Sequence, residues 1–340
     1  MADKDRANTP MRPEQRLAQR IVDLSGLEPP IDVEALIRQV ADVEEDGLPE
    51  QLDAILIRSG STRTRPKVVI SKNLRHNRKR FTFSHELAHI RLPWHVGTAW
   101  CHTEWISQVD EGIHFTTEDE ANWFAASLLM PPNWLRVIVN SDVEIDEKFR
   151  SVLTAGVSPQ AAAISLFDVL PPGFAYTIAS MSDHTVIQSG KSRNTAIDRM
   201  HRGTLFLESF YQNTRSQHFV IDHVWSQTHL WSFEMSVDPP PVGTVGFDVT
   251  SMEILREIVE SVGHGSQQDV EIRNRISAFT GHACGKYEAT SPQQLLAIFL
   301  QRFHQRDGIV GDIASHSMFV QYLARRADEL FRKRITPRKD

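Results

Sequence analysis

His85-Glu86-Leu87-Ala88-His89 sets two histidines four residues apart with a glutamate directly after the first. On an α-helix, positions i and i+4 share a face, so both imidazoles can reach one ion. Glu86 lies about a quarter-turn from His85, close enough to serve as general base toward a water at that ion. The pattern reads as a zinc-dependent hydrolase, most often a peptidase. In a chain with 15 histidines among 340 residues, chance yields such a pentapeptide about one time in 25. The flanking sequence therefore has to decide.

Working outward, the spacing predicts a helix over residues 78–91, ending before Pro93. Upstream, the apolar segments 53–58 and 67–71 flank a polar, Gly-containing stretch and predict two strands of a small sheet. Earlier still, helices are expected over 12–24 and from Asp32 onward, the second carrying Val33, Leu36, Ile37 and Val40. Downstream, a loop rich in Trp and His (94–117) leads to a helix over 118–130, stopped by Pro131-Pro132. Further helices are expected over 133–140 and 142–170, the latter broken near Gly156. Pro171-Pro172-Gly173 is the clearest domain boundary. Beyond it, strands are expected at 174–178, 185–189, 218–224 and 229–237. Helices follow at 251–262, 292–306 and 316–334.

A catalytic zinc normally has three protein ligands and one open position. Two come from His85 and His89, and the best third is Glu118 in Glu118-Asp119-Glu120-Ala121-Asn122. Asn122, four residues on, shares the Glu118 face and can accept a hydrogen bond from the non-ligating N–H of a zinc-bound histidine. Glu120 points about 200° around the helix from Glu118, and Asp119 is off that face with a shorter reach. An acidic helix start is also what the helix dipole favours unaided, so Glu118 gains its weight from its pairing with the histidine motif.

Residues 77–89 (NRKRFTFSHELAH) and 118–131 (EDEANWFAASLLMP), joined by the helix entry at 32–37, the strand at 67–71 and the turn VSPQAA at 157–162, closely resemble the ImmA/IrrE family of metallopeptidases. The resemblance spans about residues 12–170. It implies that His85, His89 and Glu118 are zinc ligands and that Glu86 is the general base. It implies a gluzincin-like Glu-xxx-Asp arrangement with Asn122 in place of Asp. The ion implied is one Zn2+, with Mn2+ as a cellular substitute. Characterised members are intracellular proteases that cleave helix-turn-helix transcriptional repressors, releasing phage, mobile-element or stress-response genes. Two positions depart from the family: Ser84 stands where Ala is usual. Ile164 stands where some members place a Tyr or Arg near the cleft, so a transition-state donor from that helix is in doubt.

The expected fold class is therefore α+β: a zincin-like metallopeptidase domain with a small β-sheet and the HExxH helix (12–140), a helical, helix-turn-helix-like connector (141–172), and an α+β domain (173–340) suited to sensing or substrate recruitment. Oxyanion donors are sought among His95, His102, His114 and Tyr176. The basic run Arg75-His76-Asn77-Arg78-Lys79-Arg80 could meet an acidic substrate or nucleic acid, although a solvated helix start explains it as well.

A formal charge of −6, and no Lys or Arg in 159–170, argue against direct nucleic-acid binding. No apolar run approaches the roughly 20 residues that span a bilayer. A polar N-terminus and only two cysteines, Cys101 and Cys284, suit the cytoplasm. The expected function is an intracellular zinc metalloendopeptidase cutting a regulatory protein such as a helix-turn-helix repressor. The alternative is a non-catalytic zinc-binding regulator, or toxin–antitoxin component, that sequesters a DNA-binding partner.

Overall fold

Eight consecutive side chains of one helix, Thr82 through His89, are buried, which is unusual for a helix at a domain surface and makes this one the axis of its unit. The computed structural model describes residues 11–58, 64–95, 99–101, 117–211, 215–240, 249–262, 266–303, 306 and 308–335. The chain divides into two compact units, Met1–Val169 and Leu170–Asp340. Both combine helices with a four-stranded sheet, so the α+β class holds.

In the first unit, α1 (Pro13–Ser25) starts with Pro at its first position, and the Arg12 N–H donates to Gln15 Oε1 at 3.1 Å. It ends at Gly26 in the left-handed region, φ 58°. Asp32 caps α2 (Val33–Arg38) by accepting the Ala35 N–H at 3.0 Å. The sheet runs β1 (Asp42–Asp46), β3 (Lys67–Ser71), β2 (Ala54–Ile57), β4 (Ala99–Cys101) in spatial order. β1 is parallel to β3; β2 is antiparallel to both of its neighbours. Ala54 pairs with Ile70 and Leu56 with Val68. All four are fully buried, so this face of the sheet is the floor on which α3 (His76–Arg91) packs.

β1 was not anticipated. Its sequence, DVEED, is mostly acidic, and such a run reads as loop. Cations on neighbouring elements stabilise it: Glu44 pairs with Lys67 at 2.8 Å and Asp42 with Arg65 at 3.5 Å. As an exposed outer strand it also guards the sheet against further pairing.

α4 (Thr117–Leu129) lies against α3 and α1. Ala121, Phe124, Ala125 and Leu128 line its buried side, none of them exposed. α5 (Pro132–Asn140), α6 (Ile145–Leu153) and α7 (Pro159–Val169) complete the unit. Gly156, at φ 70°, makes the turn before α7, and Arg80 sits against the space a side chain there would need. Three cations of the basic run are engaged within the unit, while Arg75 and His76 stay exposed. Arg78 pairs with Asp53, Lys79 with Glu45, and Arg80 donates to the Ala155 carbonyl at 3.1 Å. Those three side chains fasten the start of α3 to its surroundings, the role of a structural helix start.

The second unit contains β5 (Phe174–Ser180), β6 (Val186–Lys191), β7 (Ser216–Asp222) and β8 (Ser226–Phe233), antiparallel in the order β6-β5-β8-β7. Among the described residues, the helices that follow are α8 (Ser251–Val262), α9 (Ser266–Lys286), α10 (Pro292–Phe303), α11 (Ile309–Ala314) and α12 (Phe319–Ile335). The expected helix over 316–334 begins only at Phe319, because His316 caps the preceding turn by accepting the Met318 N–H. Leu255, Ile258, Ile276, Leu295, Phe299 and Tyr322 form the centre of an apolar core among these helices. Among the described residues, no helix is long and apolar enough to cross a membrane.

Candidate metal centre

α3 and α4 bring four of the sequence-selected side chains together. His85 Nε2 lies 3.1 Å from His89 Nε2 and 3.1 Å from Glu118 Oε2, and His89 Nε2 lies 3.4 Å from Glu118 Oε1. Bonds of about 2.0–2.1 Å in a tetrahedral zinc site put donor atoms roughly 3.3–3.4 Å apart. The triad therefore has the spacing such an ion needs, and among the described residues it is the one group of three or more His, Cys, Asp or Glu able to hold a metal.

Three of the four residues of the motif region are closed off. His85, Glu86 and His89 are 1%, 0% and 3% exposed, whereas the Glu118 side chain is 40% exposed. Solvent reaches the cluster on the α4 side. Burial alone would raise the Glu118 pKa; hydrogen bonds and charge from His85 and His89 outweigh it and hold the carboxyl well below the usual range. Glu118 is thus ionised at neutral pH, as a ligand must be.

Asn122 Oδ1 sits 3.0 Å from His85 Nδ1. An amide oxygen is an acceptor, so the His85 proton belongs on Nδ1 and the Nε2 lone pair faces the cluster. Ser84, the departure from the family pattern, donates to the Arg80 carbonyl at 3.0 Å within its own helix. Its hydroxyl is satisfied locally and the position tolerates it.

His95 does not fit the oxyanion role considered for it. Its Nδ1 is 3.0 Å from His89 Nδ1 and its Nε2 is 2.8 Å from Glu120 Oε2, so neither nitrogen is left for a substrate. Burial lowers the His95 pKa against the opposing pull of Glu120, and the ring is neutral. Tyr176 belongs to the second unit, where its hydroxyl accepts from Gln188 Nε2 at 3.2 Å. His102 and His114 lie outside the described residues. Two features were missed by sequence reasoning. Arg58 donates to the backbone carbonyls of both His89 and His95, and Glu120 accepts from Trp94 Nε1 as well as from His95. Neither has a periodic signature.

Residues 43–167, from β1 to α7, match the family model described as the IrrE N-terminal-like domain, a peptidase family. This segment belongs to the IrrE-like family. The match covers the whole metal-compatible cluster and supports a protease role at the level of the family. A search among curated proteins gave no significant match. A solved structure described as a Mycobacterium tuberculosis transcriptional regulator is similar over 66% of this chain and 77% of its own, at 16% identity and a TM-score of 0.36. Likeness at that level assigns no role to this chain.

Proposed function

We propose that the IrrE-like segment is a cytoplasmic zinc metalloendopeptidase with His85, His89 and Glu118 as ligands and Glu86 as general base, and that it cuts a regulatory protein such as a helix-turn-helix repressor. The observation that carries this reading is the convergence of three donor atoms at the spacing of one tetrahedral ion, with Glu86 buried in the same helix turn.

Zinc, when bound, supplies Lewis acidity that makes water a nucleophile near neutral pH and polarises a scissile carbonyl. The chain's own groups do the rest. Glu118 and the two imidazoles fix the ion's place, and Asn122 orients His85. Glu86, kept from bulk solvent, takes a proton from water and returns it to the leaving amine. The half-exposed side at Glu118 is where a peptide enters. The helix-turn-helix-like α6–α7 pair stays part of the fold, and the second unit serves substrate recruitment or sensing.

The test uses the zinc-loaded full chain and a helix-turn-helix repressor from the neighbouring reading frame. Cleavage by wild type is expected, with chelation abolishing it. Glu86→Gln should lower the rate by roughly 10²–10⁴ while zinc content stays at one equivalent. If Glu86→Gln still relieves repression in cells, the sequestering alternative replaces this reading.

A further inference from the structure

His85 and His89 are supported differently, and the difference assigns a role to residues outside the ligand set. A histidine that offers Nε2 to a metal must carry its proton on Nδ1. For His85 that proton meets Asn122 Oδ1, which can only accept. For His89 it meets another imidazole nitrogen, His95 Nδ1, at 3.0 Å. An imidazole nitrogen can either accept or donate, so His95 fixes the tautomer of His89 only if its own is fixed. The His95 Nε2 contact with Glu120 Oε2 at 2.8 Å does this. A carboxylate accepts, so the His95 proton is placed on Nε2 and its Nδ1 is left as acceptor.

We propose that Glu120, acting through His95, sets the tautomer and ring orientation of His89 as a metal ligand. Both are positioning residues in a chain that runs Glu120, His95, His89. The proposal rests on the metal-centre reading above and extends it to two side chains that the ligand triad does not include.

The surroundings are built to hold this chain. His95 is 4% exposed, and its ring stands 4.9 Å from that of His89, centre to centre. Arg58 grips the carbonyls of His89 and His95 together, so the end of α3 and the loop after Pro93 move as one. Trp94 Nε1 donates to the same Glu120 oxygen that His95 uses, which confines the carboxylate to one orientation. Glu120 is two residues from Glu118 on α4 and points to the other side of the cluster. One helix thus presents a ligand to the ion and, on a different face, the anchor of the second histidine's support.

Glu120→Gln is the sharp variant. A Gln amide can turn its NH2 toward His95 Nε2, which drives the His95 proton to Nδ1 and sets it against the His89 proton. His95→Asn is its complement. The Asn side chain reaches only as far as the imidazole Nδ1, so its oxygen can accept from His89 without any help from Glu120. His95→Phe removes the acceptor altogether. Zinc affinity is read by chelator competition, and ligand geometry by the cobalt(II) d–d absorption of the substituted protein. Thermal midpoints of the metal-free forms check folding.

Glu120→Gln and His95→Phe should each weaken zinc by about 10–100-fold and shift the cobalt spectrum. His95→Asn should bind within a few-fold of wild type. Adding Glu120→Gln to His95→Asn should cost nothing further. The proposal is overturned if Glu120→Gln binds zinc as wild type does, or if its cost persists undiminished in the His95→Asn background. The second outcome would mark Glu120 as a packing residue. In both cases the metal-centre reading stands, provided His85→Ala abolishes binding. If wild type takes up no stoichiometric metal, both fall together.

Discussion

Among the described residues, each unit holds a pair of histidines with ring nitrogens 3.1 Å apart: buried His85 with buried His89, and partly exposed His218 with buried His229. They differ in what stands around the pair. In the first, Glu118 reaches both rings from the front, while Asn122 and His95 occupy the rear nitrogens. In the second, Glu208 pairs with the far side of His218 at 3.5 Å, from a largely exposed carboxylate. His229 is layered among aromatic rings instead, 4.1 Å from Phe206 and 6.0 Å from Trp231 between centres. Its Nε2 has no hydrogen-bond partner among the described residues. Buried imidazoles alone do not make a metal centre. A carboxylate at their point of convergence, and acceptors that fix their tautomers from behind, do.

The largest expected effect tests this contrast directly. Wild type should bind one equivalent of zinc. His85→Ala or Glu118→Ala should remove it, a loss well beyond the 10–100-fold cost of an outer partner. The paired change His218→Ala with His229→Ala should leave one equivalent in place. Equilibrium dialysis with metal analysis reads all of these. A second equivalent lost with the sheet histidines would break the distinction.

A smaller effect concerns the rear contacts. Asn122→Ala should weaken zinc by about 10–100-fold without changing stoichiometry. Asn122→Asp keeps the acceptor, adds charge, and should bind at least as tightly as wild type. If Asn122→Ala is silent, orientation of His85 comes from packing in α3, and the Asn contact is incidental.

How much of this was legible in the sequence follows from how far apart the cooperating residues lie along the chain. The His85/His89 and Glu118/Asn122 pairs are i, i+4 on helices, and helical spacing reads directly as a shared face. The strands of the second sheet were readable in place but not in extent: the expected 229–237 lies at Ser226–Phe233 and the expected 218–224 at Ser216–Asp222, with Leu230 and Trp231 both buried where alternation exposes one of them. By contrast, His95 and Glu120 are 25 residues apart and meet only because α4 crosses α3. Arg58 acts on backbone carbonyls, which every residue carries, so nothing in its sequence context announces its targets. α9 escaped singling out because Gly281 and Gly285 interrupt its last turns, and glycine weakens any helical reading. β1 escaped because its stabilisation is ionic and cross-strand.

The mildest prediction comes from the pair that holds no carboxylate. Burial is the main reason that the His229 pKa falls to about 4, with the neighbouring His218 adding to the drop and Asp222 opposing it. In the unfolded chain a histidine titrates near 6.5. Between about pH 6.5 and pH 4 the unfolded state therefore binds the proton and the folded state does not. Stability rises with pH across this window and is lost as pH falls through it. His229→Phe keeps a ring of similar size against Phe206 and Trp231 and removes the titrating group. The unfolding free energy of wild type should drop on going from pH 7 to pH 4.5 by on the order of 1–2 kcal/mol more than that of His229→Phe. Acid-sensitive groups elsewhere, Glu118 among them, are common to both proteins and cancel in the difference. Parallel slopes would mean that His229 takes up its proton in the folded state, with a route to water through the rings that cover it. The contrast between the two histidine pairs would then lie in their partners alone and not in their dryness.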